Sequence, residues 1–173
     1  MDDFSLSPLQ PWLNLIHVLA VMAFILIHGF SGLLALMVRG ERDRARIQVL
    51  VQLSSSVLVW SWVALAIVFF GGILAGVAGG WWTSGRLWIW ASLAVFIVIT
   101  ILMTPIASSY MESVRHAVGL PSIQDQRKKR EPPQAVSDDE LAGILGSGKP
   151  IWAALIGLAG IAILTWLMMF RPF

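Results

Sequence analysis

The chain has three histidines, the side chains here best suited to ligating a metal or moving a proton, and two of them share one apolar stretch. Residues 11–38 carry His17 and His28 and no formal charge. On an α-helix the interval between these histidines is three turns plus roughly 20°, so both point the same way, about 16 Å apart along the axis. Ideal helical steps put Asn14, His17, Val21, Phe24, His28, Ser31, Gly32 and Ala35 on that face, and Leu19, Met22, Ile25, Leu26, Leu33 and Leu36 mainly elsewhere. A polar or small face opposite a greasy one suits a helix that turns one side to partner helices and the other to lipid. In such a bundle an imidazole can hold haem iron, and two on one helix can place two haems at different depths. His116, the third histidine, lies roughly 13 Å past the third apolar segment on a continuing helix, too far to share a haem with His17. Open readings are a single-histidine site, a His/Met site using Met22 or Met103, a site completed by a second subunit, or neutral histidines hydrogen-bonded to neighbouring helices.

Positioning such residues requires a membrane bundle. With 57% hydrophobic and 13% charged residues, the chain is too apolar for a soluble domain of its size. Four spans are expected, over residues 11–38, 47–78, 86–118 (with an extension beyond the bilayer) and 150–170, joined in part by a linker over 119–149. The fold class is all-α: a single domain over residues 1–173, built as a four-transmembrane-helix bundle with a short cytoplasmic surface helix. That short helix follows from Ser137 standing three residues before Glu140, ahead of Leu141, Ile144 and Leu145, which is the capping-box pattern. The first apolar run is far longer than a signal-peptide core and is read as a retained span.

Charge sets the orientation. All lysines and arginines except Arg86 and Arg171 fall between spans one and two or between spans three and four. By the positive-inside rule those connections face the cytoplasm of a cell-membrane protein whose termini are both on the other side. Arg39, Arg42, Arg44 and Arg46 read as anchors near anionic lipid headgroups, and Trp81, Trp82 and Trp88, with Trp12 and Trp90, as the opposite boundary. Gly72, Gly76 and Gly80 recur at four-residue intervals, and Gly157 and Gly160 stand in the last span; both sets read as close helix packing. Pro105 should perturb the third helix near its end, Gly119 and Pro121 should stop it, and residues 121–137 read as a linker that is at least partly mobile.

The apolar part of each span, for the third roughly 87–107, contains no Asp, Glu, Lys or Arg, so an embedded acid/base pair has no members beyond the histidines. Nucleotide-binding and His-x-x-x-His motifs are missing, the chain has no cysteine, and Arg127–Arg130 is too short a basic run for nucleic-acid binding. Three readings follow. The first is a small non-enzymatic accessory or structural subunit, packing against membrane lipids and a larger membrane complex or a homo-oligomer. The second is a haem- or porphyrin-binding redox protein using His17, with His28 as a second candidate. The third is copper or small-solute transport.

The segment Leu15-Ile16-His17-Val18-Leu19-Ala20, the region 71–80 leading into Trp88, and the ending Leu167-Met168-Met169-Phe170-Arg171-Pro172 together resemble a family of uncharacterised bacterial four-helix membrane proteins. More distantly, the layout resembles HemJ-type protoporphyrinogen oxidases and the membrane domain of CopD-type copper-resistance proteins. The first of these resemblances implies that His17 is a haem or porphyrin ligand, although those enzymes also use a membrane-embedded lysine that no span here provides. The second implies copper handling.

Overall fold

The computed structural model describes residues 6–82, 85–122, 125 and 128–173, and among these the ordered elements are all helical. A single 3-10 turn, Ser7–Leu9, leads into α1 (Gln10–Gly40), followed by α2 (Arg44–Ala78), α3 (Leu87–Ala117), α4 (Asp138–Leu145) and α5 (Lys149–Phe170). Four of the helical stretches are long and apolar enough to cross a membrane, with mean hydropathies from 2.2 to 2.4. The chain is therefore an integral membrane protein with an all-α, four-helix architecture. Its outer surface agrees: Leu26, Phe70, Ile101, Leu158 and Met169 are all more than 60% exposed, and hydrocarbon is the solvent that makes such a surface stable. α3 has 31 residues, so at 1.5 Å per residue it is about 46 Å long, more than the roughly 30 Å hydrocarbon core requires.

Each boundary has a local cause. α2 starts earlier than the apolar pattern suggests because Asp43 caps it, its carboxylate accepting from the backbone N–H of Ala45 at 2.8 Å and of Arg46 at 3.4 Å. The turn ahead of it is fixed by Glu41, whose carboxylate accepts from the N–H groups of Asp43 and Arg42, and these two donors hold its pKa below the usual value. At the other end of α2, Gly80 is not a packing residue. It lies past the helix at φ +61, and with the N–H of Trp81 donating to Gly76 O at 2.8 Å it forms the left-handed cap that a residue without Cβ accepts most readily. Gly119 repeats the device after α3, at φ +79 with Leu120 N–H donating to Arg115 O. Ser137 caps α4 by accepting from the Glu140 N–H at 3.3 Å, as the capping-box pattern requires.

The helices pack as two pairs. α1 lies against α2 along most of its length and α3 against α5, while contact between the pairs is sparse. The end carrying Arg39–Arg46, here called the basic end, closes around a dry core to which α1 gives Val38, α2 Ile47 and Val51, α3 Tyr110, Val114 and Ala117, and α4 Leu141 and Leu145. Polar groups lock that end. Arg44 donates to the Val136 carbonyl at 2.6 Å and to Asp138 at 2.7 Å, Gln48 donates to Val118 O at 2.8 Å, and Arg115 donates to the Ser55 hydroxyl. The described part of the 121–137 linker is consequently held against the helix ends, with Val136 N–H donating to Ala117 O at 3.1 Å. Arg127 and the opening residues 1–5 lie outside the described residues.

Candidate functional site

The opposite end, rich in tryptophan, does not close. Between the two helical pairs lies a cavity of about 290 Å³, lined by His17 and Asn14 from α1, Val68, Phe69 and Gly72 from α2, Trp88, Leu93 and Phe96 from α3, and Met168 and Arg171 from the end of α5. Its walls are apolar and its polar groups few and convergent, the composition usual for a small-molecule site.

His17 is set by two features of α2. Its Nδ1 lies 3.0 Å from the carbonyl oxygen of Val68, which can only accept, so Nδ1 carries the proton and Nε2 the lone pair. Gly72 provides the space for the ring: a Cβ there would stand 2.9 Å from Cε1 and 3.2 Å from Nδ1. Nε2 has no hydrogen-bond partner among the described residues, and it is not sealed off. An imidazole whose Nδ1–H is tied to a backbone carbonyl while Nε2 faces open space is the arrangement found in metal-ligating histidines.

The other glycines of this face also make room for side chains. Gly76 lies beneath Trp82 and Ile89, and Gly79 beneath Trp81. In the other helical pair, Gly157 meets Met103 and Gly160 meets Ile99, so α3 and α5 approach closely there.

The aromatic cluster faces inward more than a boundary belt would. Trp88, expected at the lipid interface, is 6% exposed; its ring lies 5.6 Å from that of Trp81, and both stack against the guanidinium of Arg171. Trp81 and Trp82 are half-buried, and Trp82 Nε1 donates to Ile73 O at 3.2 Å. The α3 N-terminus, which has no side-chain cap, is met by the Phe173 carbonyl accepting from the Trp88 N–H at 3.2 Å. This bond ties the segment after α5 to the start of α3.

His28 does not join His17. It stacks on Phe24 at 4.9 Å between ring centroids, lies outside the cavity, and has no hydrogen-bond partner among the described residues. His116 belongs to the basic end, where Nε2 lies 2.8 Å from the Asp125 carboxylate. Asp125 also accepts from the hydroxyl and N–H of Ser122, and these bonds, then the one with His116, depress its pKa to about 2. No group of three or more His, Asp or Glu is placed to hold a metal ion among the described residues. The four arginines divide: Arg44 and Arg39 are engaged by the fold, Arg39 through the Ser147 carbonyl, whereas Arg42 and Arg46 are exposed.

Sequence reading singled out His17, Gly72 and the tryptophans; it named Met168 and Arg171 in the family-like ending without assigning them to a site, and it missed the Val68 carbonyl. The signal for Arg171 was faint: one of only two basic residues at the aromatic end. Compared with protein-family models, curated proteins and solved structures, the chain matches none.

Proposed function

We propose that this protein is a small membrane component that binds a haem or related porphyrin in the cavity at its tryptophan-rich end, with His17 as the iron ligand. The observation that carries the reading is the His17 ring itself, which lines an apolar cavity with Nδ1–H fixed on Val68 O and Nε2 without a hydrogen-bond partner among the described residues. The residues present suit the group: a neutral imidazole with an available lone pair, aromatic and aliphatic walls, and the Met168 thioether in the same lining. At about 290 Å³ the cavity is just below the roughly 300–1,000 Å³ typical of ligand pockets. It is open on one side, so a larger ring can extend beyond it. When bound, the group would supply one-electron chemistry; the protein's part is to fix the imidazole and keep water away. The deciding experiment is an absorption spectrum of detergent-purified protein, air-oxidised and then dithionite-reduced, after expression with ample haem. A stoichiometric Soret band that shifts on reduction, is abolished by His17→Ala and survives His28→Ala is expected. A colourless protein overturns the reading.

A second reading, an accessory subunit in a larger assembly, draws on α1. His28 has no hydrogen-bond partner among the described residues, and a Cβ at Gly29 or Gly32 would meet nothing within 4 Å. Such a surface suits a close-packed partner helix that hydrogen-bonds the imidazole. Gly32→Leu should then release the protein from its assembly, and unchanged assembly removes this reading. For orientation, the charge distribution supports a cytoplasmic basic end. The chain has no cysteine, so single cysteines introduced at Ser147 and Gly85 report the two sides directly by labelling with an impermeant thiol reagent.

A further inference from the structure

The cavity lining includes a cation, Arg171, that pairs with no acidic side chain among the described residues. Arg171 follows α5 in the left-handed conformation, at φ 47 and ψ 56, with its N–H bonded to Leu167 O at 3.1 Å. That turn brings its guanidinium carbon 5.1 Å from the ring centroid of Trp81 and 5.2 Å from that of Trp88. Two aromatic faces therefore hold the cation at the cavity lining, where contact with the ring quadrupoles is favourable. The ion pairs among the described residues all lie at the basic end, and none includes Arg171. Its side chain donates no hydrogen bond to a described residue either.

The remaining lining is oily: Val68, Phe69, Leu93 and Phe96. A guanidinium is a planar fork of donors that pairs best with the two oxygens of a carboxylate or phosphate, and Arg171 is exposed, so its donors are open to such a group. We infer that the natural occupant of this cavity is an anionic amphiphile, an apolar body between the helical pairs with a carboxylate or phosphate seated on Arg171. This rests on the cavity being a ligand site and does not require iron. A haem, with its carboxylates, is one member of the class; a fatty acid or an anionic lipid is another.

The test uses the full chain in a neutral maltoside detergent with 9,10-dibromostearate as probe, because bromine quenches nearby tryptophan fluorescence. Its methyl ester, sodium acetate and inorganic phosphate serve as separate arms. Saturable quenching by the acid is expected, with the ester at least tenfold weaker and acetate without effect. Arg171→Asn should weaken binding of the acid tenfold or more, whereas Arg171→Lys should stay within a few-fold of the native chain. Asparagine tolerates the left-handed backbone, so the neutral variant keeps its turn. Displacement of the acid by millimolar phosphate assigns the anion to a phosphate headgroup and still supports the inference. Equal binding of acid and ester, or an Arg171→Asn chain that binds like the native one, overturns it. Failure of the haem reading looks different: no Soret band, with Arg171-dependent quenching intact. Conversely, haem and its dimethyl ester binding equally well, without uptake of dibromostearate, would retain the haem reading and reject the role of Arg171.

Discussion

Replacing Gly72 by alanine adds one methyl group where α2 meets the His17 ring, and the sign of the result distinguishes a site built for this imidazole from ordinary slack. A glycine-to-alanine change inside a helix gains roughly 0.5–1 kcal/mol from backbone entropy alone. Here the new Cβ would stand 2.9 Å from Cε1 and 3.2 Å from Nδ1 of His17, closer than carbon packing allows. The ring cannot yield freely, since its Nδ1 is held 3.0 Å from Val68 O. Overpacking of this kind costs about 1–3 kcal/mol, and loss of the hydrogen bond adds about 0.5–1.5 kcal/mol. The expected net effect is a destabilisation of about 1–3 kcal/mol. Unfolding in dodecyl sulfate, followed by circular dichroism, measures it. Gly32→Ala is the control, because its Cβ would meet nothing within 4 Å and it should be neutral or slightly stabilising. In a His17→Ala background the added methyl should lose most of its cost, since the obstructing ring is gone. If Gly72→Ala is as benign as Gly32→Ala in the native chain, the proposed fixing of the imidazole by α2 is refuted.

The basic end yields four further predictions. Arg44→Gln should cost about 1–3 kcal/mol, mainly through the part-buried carbonyl of Val136, and should expose 128–137 to protease. Asp138→Asn should cost under about 1 kcal/mol, because the Asp138 side chain is 92% exposed; the opposite ranking would show that the ion pair, not the carbonyl, holds the segment. Asp125 has a folded-state pKa depressed to about 2 from an ordinary 3.8, so its stabilising contribution is present above pH 3.8 and is lost as pH falls through 2. A carboxyl NMR titration should therefore show a midpoint near 2, and a midpoint near 3.8 would mean that the Ser122 and His116 bonds do not persist. Tyr110 is 2% exposed and its hydroxyl has no partner among the described residues, so Tyr110→Phe should leave stability unchanged or raise it. A loss above about 1 kcal/mol would reveal a partner for that hydroxyl.

Much of the architecture was legible because a bilayer leaves few choices. Long uncharged runs must become helices there, since every backbone N–H and C=O has to be satisfied within its own segment. The runs ending near Val38 and Ala78 could therefore be read as spans without knowing what they touch. Short-range signals were equally readable: Gly119 before Pro121 stops α3, and Ser137 three residues before Glu140 starts α4. Gly80 shows the limit of such reading, because the same four-residue spacing that suits helix packing placed it in the left-handed cap beyond the helix.

Sequence by itself determined that the protein is helical, that it spans a membrane, and that His17 is one of few groups able to do chemistry inside it. Tertiary structure alone decided what His17 can do. Its tautomer is set by the Val68 carbonyl and its space by Gly72, both on the neighbouring helix and some fifty residues away in the chain. Likewise Arg171 gains meaning only when the turn after α5 sets it between Trp81 and Trp88, which come from the other end of α2 and the start of α3. Helical periodicity follows from local backbone geometry, whereas hydrogen-bond partners and cavities arise from the relative placement of helices, which no single helix encodes.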